Sequence, residues 1–206
     1  MCQFFVIHPD NPQERLIKEA VKIIHQGGVV VFPTDSAYAI GCHLADKQAL
    51  DRIRTLRHLD ETHYFTLICR DLSELGTYSI VDNAAFRLIK ANTPGPYTFI
   101  LPASREVPKR LLHPKRKTIG LRVPKSKITL ALLEELKEPL MSVTLIAPDR
   151  ESPFEDAQDI FTHLGRQVDV IIDGGICYAD PTTVVELGEG APNILRYGKG
   201  DPTAFL

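Results

Sequence analysis

A buried strand that ends in a cluster of small polar side chains is the first feature of this chain that could bind a ligand. The apolar run Val29–Phe32 predicts the strand, and Pro33 ends it because proline has no N–H to donate to a neighbouring strand. Thr34, Asp35 and Ser36 follow at once, and open α/β folds usually bind ligands just beyond strand ends. An ordinary strand-to-loop junction accounts for this segment alone equally well. The functional interpretation therefore depends on further segments of the same kind.

Two arginines and two threonines occur in such segments. Arg122 and Arg196 lie between apolar residues of predicted strands, where a guanidinium is costly to bury unless an anion accompanies it. Thr98 follows a Pro-Gly-Pro turn, and Thr182 comes after the Asp-Gly-Gly of 173–175, where glycines permit close approach of the backbone. Together these residues predict a site for a phosphate or a carboxylate, although each segment taken alone has an ordinary structural explanation.

The distribution of charge predicts a second binding surface. The net charge is −2, so the chain as a whole is not an obvious nucleic-acid binder. Between residues 105 and 127, however, nine basic residues accompany one acidic residue, Glu106. Such an excess attracts the phosphates of a nucleotide or of a nucleic-acid backbone, and we favour this interpretation over a solvated face without a partner. The residues expected to contact RNA are Lys109, Arg110, Lys115, Arg116, Lys117 and Lys125.

No metal site is predicted from the histidines, acids and cysteines. His58 and His63 flank Asp60 and Glu61, but their spacing matches no standard zinc motif, so a solvated loop is the favoured interpretation. The four cysteines are scattered and contain no Cys-x-x-Cys pair. This usage predicts reduced thiols in a cytoplasmic protein.

The elements that must position these residues are strands and helices in an irregular alternation. Helices are expected between most of the strands, which are predicted at residues 3–7, 29–32, 64–69, 97–101, 118–123, 141–146, 168–172, 183–187 and 193–197. This order predicts an α/β protein of α+β character, a single domain over residues 1–206 with a twisted mixed sheet and flanking helices. No apolar run is long enough to span a membrane, and the N-terminus lacks the features of a secretory signal. We therefore expect no membrane partner.

Two helices are predicted from the same capping pattern. Asn11-Pro12-Gln13-Glu14 combines a polar cap, a proline at the first helical position and an acid that reaches back. Ser152-Pro153-Phe154-Glu155 repeats this pattern and predicts a second helix that ends at Gly165.

In their order along the chain, the segments resemble those of the YrdC/YciO family of L-threonylcarbamoyladenylate synthase-like proteins. The resemblance covers roughly residues 12–198 and is strongest to the family's YciO branch. The segment 33–42, PTDSAYAIGC, is similar to the family's Pro-Thr-Asp-Thr-x-Tyr-Gly-Leu-Gly-Cys. The other matching segments are PGPYT (94–98), GLRVP (120–124), DGG (173–175), TTVV (182–185) and LRYG (195–198).

The resemblance implies a YrdC-like domain with a concave, basic groove, where members of the family bind tRNA or double-stranded RNA. The family's enzymes join threonine, bicarbonate and ATP, release pyrophosphate, and leave threonylcarbamoyl-AMP for tRNA modification. A carbamate must approach a phosphate in this reaction, and the two like charges need cationic screening. ATP with Mg²⁺ is therefore the implied ligand, and no tightly bound cofactor is expected.

The resemblance also assigns roles to individual residues. Thr34 and Thr182 are expected to contact threonine, Thr98 and Arg122 the nucleotide or amino-acid groups, and Arg196 the phosphates. The full set of expected ligand residues is Thr34, Arg57, Thr98, Arg122, Thr144, Thr182 and Arg196.

The chain departs from the family at several positions of this site. The family's Lys-x-Arg aligns with residues 55–57, so Arg57 can stand for the arginine, but the lysine position holds Thr55, or Arg54 if the register shifts. The next segment, HLDETHYFT, is longer than its counterpart in the family. Cys69 replaces a histidine, and Ile146 replaces the asparagine of a Ser-Ala-Asn motif that aligns with 144–146. Each missing polar or cationic group removes about 1–4 kcal/mol of stabilisation.

Three hypotheses follow from these observations. The first is an RNA-binding paralogue of the synthases, which keeps a nucleotide-sized pocket and makes threonylcarbamoyl-AMP poorly or not at all. The second is a working but slow synthase in which Arg54 replaces the lysine, so that Arg54 and Arg57 are the catalytic candidates. The third is another reaction on the same ligand, such as hydrolysis of an adenylate, for which Asp35 is the best general base. The first is preferred, and the oligomeric state is not predicted.

Overall fold

Ten strands pair into one sheet in the computed structural model, which describes residues 1–60, 62–188 and 190–206. The strands are β1 (Gln3–Val6), β2 (Val30–Phe32), β3 (Ala39–His43), β4 (Thr66–Ile68), β5 (Tyr97–Pro102), β6 (Thr118–Arg122), β7 (Leu140–Thr144), β8 (Val170–Asp173), β9 (Thr183–Glu186) and β10 (Asn193–Arg196). The helices are α1 (Glu14–His25), α2 (Lys47–Arg57), α3 (Leu72–Tyr78), α4 (Asn83–Ala91), α5 (Lys127–Leu136) and α6 (Ala157–Leu164), with short 3₁₀ helices at Lys109–Leu111 and Pro202–Phe205.

The sheet is mixed, and its strands follow the order β1-β8-β2-β3-β7-β4-β6-β5-β9-β10. Four neighbouring pairs are parallel, namely β1 with β8, β8 with β2, β4 with β6 and β5 with β9, and the other five pairs are antiparallel. A single domain with a twisted mixed sheet and six helices confirms the predicted fold class. The basic groove that the resemblance implied stays a prediction.

Helices cover both faces of the sheet because successive side chains of a strand point to opposite faces. Val30 and Phe32 of β2 pack in a core with α1 and α5, whereas Val31 between them packs in a second core with α2 and α6. All three of these side chains are fully buried. In the part of the chain that the structure describes, no helix is long and apolar enough to cross a membrane.

Both helix starts predicted from capping patterns are wrong. The first helix begins at Glu14, not at Pro12, because the ring of His8 accepts hydrogen bonds from the backbone N–H groups of Asp10 and Asn11, which form a turn instead. The second begins at Ala157, and Asp156 caps it by accepting a hydrogen bond from the backbone N–H of Gln158 at 2.7 Å.

Tertiary packing determines the conformation before the second helix. Phe154 is fully buried, and the guanidinium of Arg150 lies over its ring at 4.1 Å. The residue therefore packs in the core instead of continuing a helix.

The strand β3 was not predicted from the sequence. The pattern after Pro33 predicts a loop, but Ala39–His43 forms a strand between β2 and β7 and is antiparallel to both. This strand connects the Pro-Thr-Asp-Ser segment to the centre of the sheet. The polar residues that follow β2 therefore lie in a tight connection between two neighbouring strands.

Candidate functional site

A cavity of about 430 Å³ lies over the part of the sheet that runs from β7 to β10. Its walls include Thr144 of β7, Thr98 of β5, Thr182 just before β9 and Arg196 of β10, with Arg57 at the C-terminal end of α2. This volume is typical of sites for small molecules and cofactors. The structure therefore brings together five of the seven residues expected to bind the ligand.

A second, much smaller cavity of about 30 Å³ adjoins the first and shares four threonines with it, Thr66, Thr98, Thr144 and Thr182. Its further polar lining residues are Ser36, Arg122 and Ser142. Hydroxyl groups both donate and accept hydrogen bonds, so this end of the site suits a small polar group. Arg122 is thus placed at the inner end of the same site.

Arg196, Thr182 and Thr98 form a continuous chain of hydrogen bonds across the cavity. The Arg196 guanidinium donates to the carbonyl and to the hydroxyl of Thr182, each at 3.0 Å, and the two threonine hydroxyls lie 2.9 Å apart. Gly198 lets β10 approach closely enough for this contact, because a Cβ at that position would lie 2.3 Å from the carbonyl oxygen of Pro181. The Leu-Arg-x-Gly motif therefore has a steric reason for its glycine.

Arg57 supplies the second cation of the cavity. It is half-buried and donates a hydrogen bond to the carbonyl of Ile146, while its buried Nε has no partner among the described residues. Burial lowers the pKa of the Arg57 guanidinium. Neither Arg57 nor Arg196 forms an ion pair with a carboxylate of the described chain. The described arginines that do so are Arg52, Arg54, Arg70, Arg116, Arg122 and Arg150.

Arg122 differs from these two because it already has an anionic partner. Its guanidinium pairs with Asp35, and the two side chains are only 7% and 14% exposed. Burial lowers the pKa of Arg122, and the Asp35 carboxylate opposes this shift. Within the described chain, Asp35 Oδ2 and Arg122 Nε have no hydrogen-bond partner. Lys199 also donates to the Asp35 carbonyl at 2.7 Å. The backbone of Asp35 is therefore bound by Lys199 and its side chain by Arg122.

The Thr34 hydroxyl lies behind the small cavity, 3.0 Å from the hydroxyl of the lining residue Ser36. The same Thr34 hydroxyl donates to the carbonyl of Ala37 at 2.6 Å and accepts from the N–H of Ser36 at 3.1 Å, which closes the turn after β2. Thr34 is not among the described residues that line the two cavities. Tyr38 completes the turn by donating to the carbonyl of Gly175 at 2.7 Å, so the Asp-Gly-Gly segment supports this loop.

The two alternatives for the family's lysine, Arg54 and Thr55, both lie outside the described lining of the cavity. The Arg54 guanidinium lies 3.6 Å from Asp51 and 5.1 Å from the centre of the Phe65 ring. Thr55 is exposed, and its hydroxyl donates to the carbonyl of Asp51 at 3.0 Å. Since α2 continues to Arg57, residues 55 and 57 project about 200° apart around the helix.

The remaining departures from the family fall inside the site and beside it. The Ile146 side chain lines the cavity, where the family's asparagine would offer an amide. Cys69 is fully buried, and burial raises the pKa of its thiol well above the usual range, with Glu74 raising it further. Cys69 therefore remains a neutral thiol.

One wall of the cavity was not predicted from the sequence. The segment predicted as a solvated loop places Asp60, Thr62, His63 and Tyr64 in the lining. Its greater length relative to the family was the only signal of such a role. Glu61 of the same segment lies outside the described residues. In the described chain, no group of three or more His, Cys, Asp or Glu residues could hold a metal ion.

The basic segment of residues 105–127 reaches the mouth of the cavity through an aromatic contact. Tyr64 of the cavity wall stacks on His113, with ring centroids 5.0 Å apart and planes at 26°. All six residues expected to contact RNA are exposed. The two arginines among them have structural partners, because Arg116 pairs with Glu186 at 2.6 Å and Arg110 donates to the carbonyls of Leu44 and Ala45.

The lysines of this segment are less constrained. Lys117 has a positive φ of 55° and donates to the carbonyl of Pro114 at 2.8 Å. Lys109, Lys115 and Lys125 have no side-chain hydrogen bond or ion pair with any described residue. These three ammonium groups are therefore the ones most available to a phosphate backbone.

Comparison with known proteins gives one family and close relatives over the whole chain. Residues 22–198 match the family Sua5_yciO_yrdC, which is described as "Telomere recombination". The chain is 56% identical to the YciO protein of Escherichia coli (strain K12), and the match covers 100% of both chains. The crystal structure of E. coli YciO superposes with a TM-score of 0.97, again over 100% of both chains.

Two more distant relatives have names that state an activity or a ligand. The threonylcarbamoyl-AMP synthase of Coxiella burnetii (strain RSA 493 / Nine Mile phase I) is 28% identical over 77% of this chain and 84% of its own length. The crystal structure of P. abyssi Sua5 complexed with L-threonine is 25% identical, with a TM-score of 0.87, over 95% of this chain and 57% of that one.

Proposed function

The chain belongs to the Sua5/YciO/YrdC family, and on that premise we propose that it binds a phosphate-bearing, nucleotide-sized ligand in the cavity and RNA on the adjacent basic segment. The ligand that fits the family is ATP, which would enter as its Mg²⁺ complex. The RNA would be a structured one, double-stranded RNA or tRNA. In this proposal the chain is a paralogue of the threonylcarbamoyl-AMP synthases whose catalytic motif is degraded.

The observation that carries the ligand part of the proposal is the pair Arg57 and Arg196. Both guanidiniums line the cavity, and neither has a carboxylate partner in the described chain. A phosphate in the cavity would meet two guanidiniums that have no carboxylate partner of their own, and Arg122 adds to the positive charge that acts on Arg196. Thr98 and Thr182 add hydroxyl groups that could accept and donate hydrogen bonds to the same ligand.

The RNA part rests on the position and exposure of the basic segment. Lys109, Lys115 and Lys125 are exposed and have no side-chain partner in the described chain. Their ammonium groups are therefore available for contacts to backbone phosphates, which do not depend on sequence. The stacking of Tyr64 on His113 connects this segment to the cavity wall. An RNA on the segment would therefore lie close to the mouth of the nucleotide site.

The weak catalysis that we propose has a physical reason. The reaction of the synthases brings a carbamate to the α-phosphate of ATP, and it depends on cations and on precise positioning. Here Arg54 and Thr55 lie outside the cavity lining, and Ile146 replaces an amide inside it. The cavity thus keeps groups that bind phosphate and lacks groups that would stabilise the charge developing in the reaction.

A slow synthase is the second candidate function. The hydroxyl-rich small cavity, with Arg122 at its inner end, favours it because a bound amino acid needs such polar groups. The relative P. abyssi Sua5 has been crystallised with L-threonine, and the chain superposes on it closely. In this alternative the same site would bind threonine beside the nucleotide and would turn over slowly.

One experiment tests both candidates. Pyrophosphate release is measured with ATP, Mg²⁺, bicarbonate and threonine, each omitted in turn, and nucleotide binding is measured by calorimetry on the same protein. We expect ATP to bind, and Arg57→Gln to weaken it about tenfold or more, since a hydrogen-bonded charge contributes about 1.5–3 kcal/mol. Arg54→Gln, on the same helix outside the cavity, is the matched control.

The outcomes separate the two functions. Binding without pyrophosphate release supports a binding protein. Release that requires all four components, and that Arg54→Gln abolishes, would establish the synthase and would contradict the position that we assign to Arg54. Absence of nucleotide binding would overturn the proposed site.

A further inference from the structure

His63 is a titratable group in the cavity that neither proposed function uses. It lines the cavity wall with Arg57 and Arg196, and it is half-buried. Its ring packs edge-on against Phe65, with centroids 5.8 Å apart and planes at 70°. Neither ring nitrogen has a hydrogen-bond partner among the residues that the structure describes. The imidazole therefore has donor and acceptor positions available to a ligand.

The turn before His63 holds the ring in this position. The Asp60 carboxylate accepts hydrogen bonds from the backbone N–H of Thr62 at 2.8 Å and from its hydroxyl at 2.7 Å. The N–H of His63 donates to the carbonyl of Asp60 at 3.4 Å. Both hydrogen bonds from Thr62 go to Oδ1, and they lower the pKa of Asp60.

The surroundings of His63 favour the neutral imidazole when the cavity is empty. Burial lowers the pKa of His63, Arg57 lowers it further, Asp60 opposes this, and Arg196 adds to the lowering. Among the described residues, the charged groups that act on His63 are thus Arg57 of α2, Arg196 of β10 and Asp60 of the turn before it. A phosphate bound between the two arginines would reverse the balance, because an adjacent anion favours the imidazolium.

We propose that His63 binds the phosphate group of the ligand together with Arg57 and Arg196, and that it takes up a proton when this group binds. This inference rests on the proposed nucleotide site. It makes His63 a third cationic contact that exists only in the complex. Without the ligand, a neutral His63 adds no third positive charge beside Arg57 and Arg196. With the phosphate bound, the His63 imidazolium donates a charge-assisted hydrogen bond to it.

Calorimetry with AMP in buffers of different ionisation enthalpy tests the proposal, because the dependence of the binding enthalpy on the buffer gives the number of protons exchanged. At pH 7 we expect the wild type to take up more protons than His63→Gln, with a difference that approaches about one proton per AMP bound. The phosphate of AMP also titrates, but this contribution is common to all variants. Wild-type affinity should fall as the pH rises, by at most about tenfold per pH unit.

Two further variants sharpen the test. His58→Asn is the matched control, because His58 is exposed at the end of α2 and its positive φ of 50° is one that asparagine tolerates. It should take up protons as the wild type does. His63→Lys supplies a permanent cation, so it should bind AMP without the additional proton and keep its affinity at pH 8.

The outcomes distinguish this proposal from the one on which it rests. If AMP binds and His63→Gln takes up as many protons as the wild type, the role of His63 is overturned and the phosphate site remains. If neither AMP nor ATP binds to any of the proteins, both proposals are overturned. If ATP binds and AMP does not, the phosphate contact assigned to His63 is overturned and the nucleotide site remains. Thermal unfolding of each variant verifies that the fold is retained.

Discussion

The guanidinium of Arg196 donates two hydrogen bonds to Thr182, one to its carbonyl and one to its hydroxyl, each at 3.0 Å. These contacts orient an exposed arginine at the edge of the sheet toward the cavity. Arg196 is consequently preorganised, and a ligand that binds it loses little side-chain entropy.

Replacement of Arg196 should weaken nucleotide binding more than it weakens the fold. We expect Arg196→Gln to reduce the affinity for ATP about 10- to 100-fold, since a hydrogen bond to a charged group contributes about 1.5–3 kcal/mol. Because β10 is an edge strand and the side chain is exposed, the free energy of unfolding should change by less than about 1 kcal/mol. Calorimetry and urea unfolding measure the two quantities. A large drop in stability with normal affinity would contradict this role.

The buried pair of Asp35 and Arg122 should determine stability more than any other ion pair in the described chain. Asp35→Ala leaves Arg122 buried without its counter-ion, and this should cost about 3–5 kcal/mol in the free energy of unfolding. Asp10→Ala is the control, because Asp10 pairs with Lys127 on the surface and its removal should cost less than about 1 kcal/mol. Urea unfolding compares the two, and equal costs would show that water reaches Arg122 freely.

The RNA proposal predicts a change in salt dependence. Lys109→Gln with Lys115→Gln removes two exposed ammonium groups, which should lower the slope of log affinity against log salt by about 0.7–0.9 for each phosphate that is no longer neutralised. Lys117 is left unchanged because its positive φ and its bond to the Pro114 carbonyl are structural. The double variant Lys18→Gln and Lys22→Gln on α1, on the other face of the sheet, should leave the slope unchanged. Equal slopes for both double variants would contradict the assignment of the basic segment.

The two departures from the synthase motif should respond differently to reversal. Thr55→Lys should change neither nucleotide affinity nor pyrophosphate release, because residue 55 projects away from the cavity. Ile146→Asn places an amide in the cavity and should raise nucleotide affinity about threefold to tenfold, the effect of one hydrogen bond. Calorimetry measures the nucleotide affinity of each single variant, and a pyrophosphate assay measures its release. An increase in release from Thr55→Lys would contradict the described course of α2.

Much of the fold was predictable because it depends on local pattern. The capping pattern at residues 11–14 indicated that a helix follows β1, although not its first residue, and the buried run before Pro33 indicated β2. The prediction failed for β3, since a strand between two others is defined by its partners. It also failed at Asn11, where a contact with His8 replaced the helix cap.

The family, the mixed sheet and the residue types of the site could be inferred from the sequence alone, because motifs such as Pro-Thr-Asp-Ser and Leu-Arg-x-Gly are continuous along the chain. Which of these residues share a cavity depends on the tertiary structure. It placed Arg57 in the cavity and Arg54 outside, occupied the hydroxyl of Thr34 within its own turn, and added His63 to the wall. The physical reason is that side-chain direction depends on where α2 ends and on how distant strands pair, and neither is encoded in the spacing of a motif.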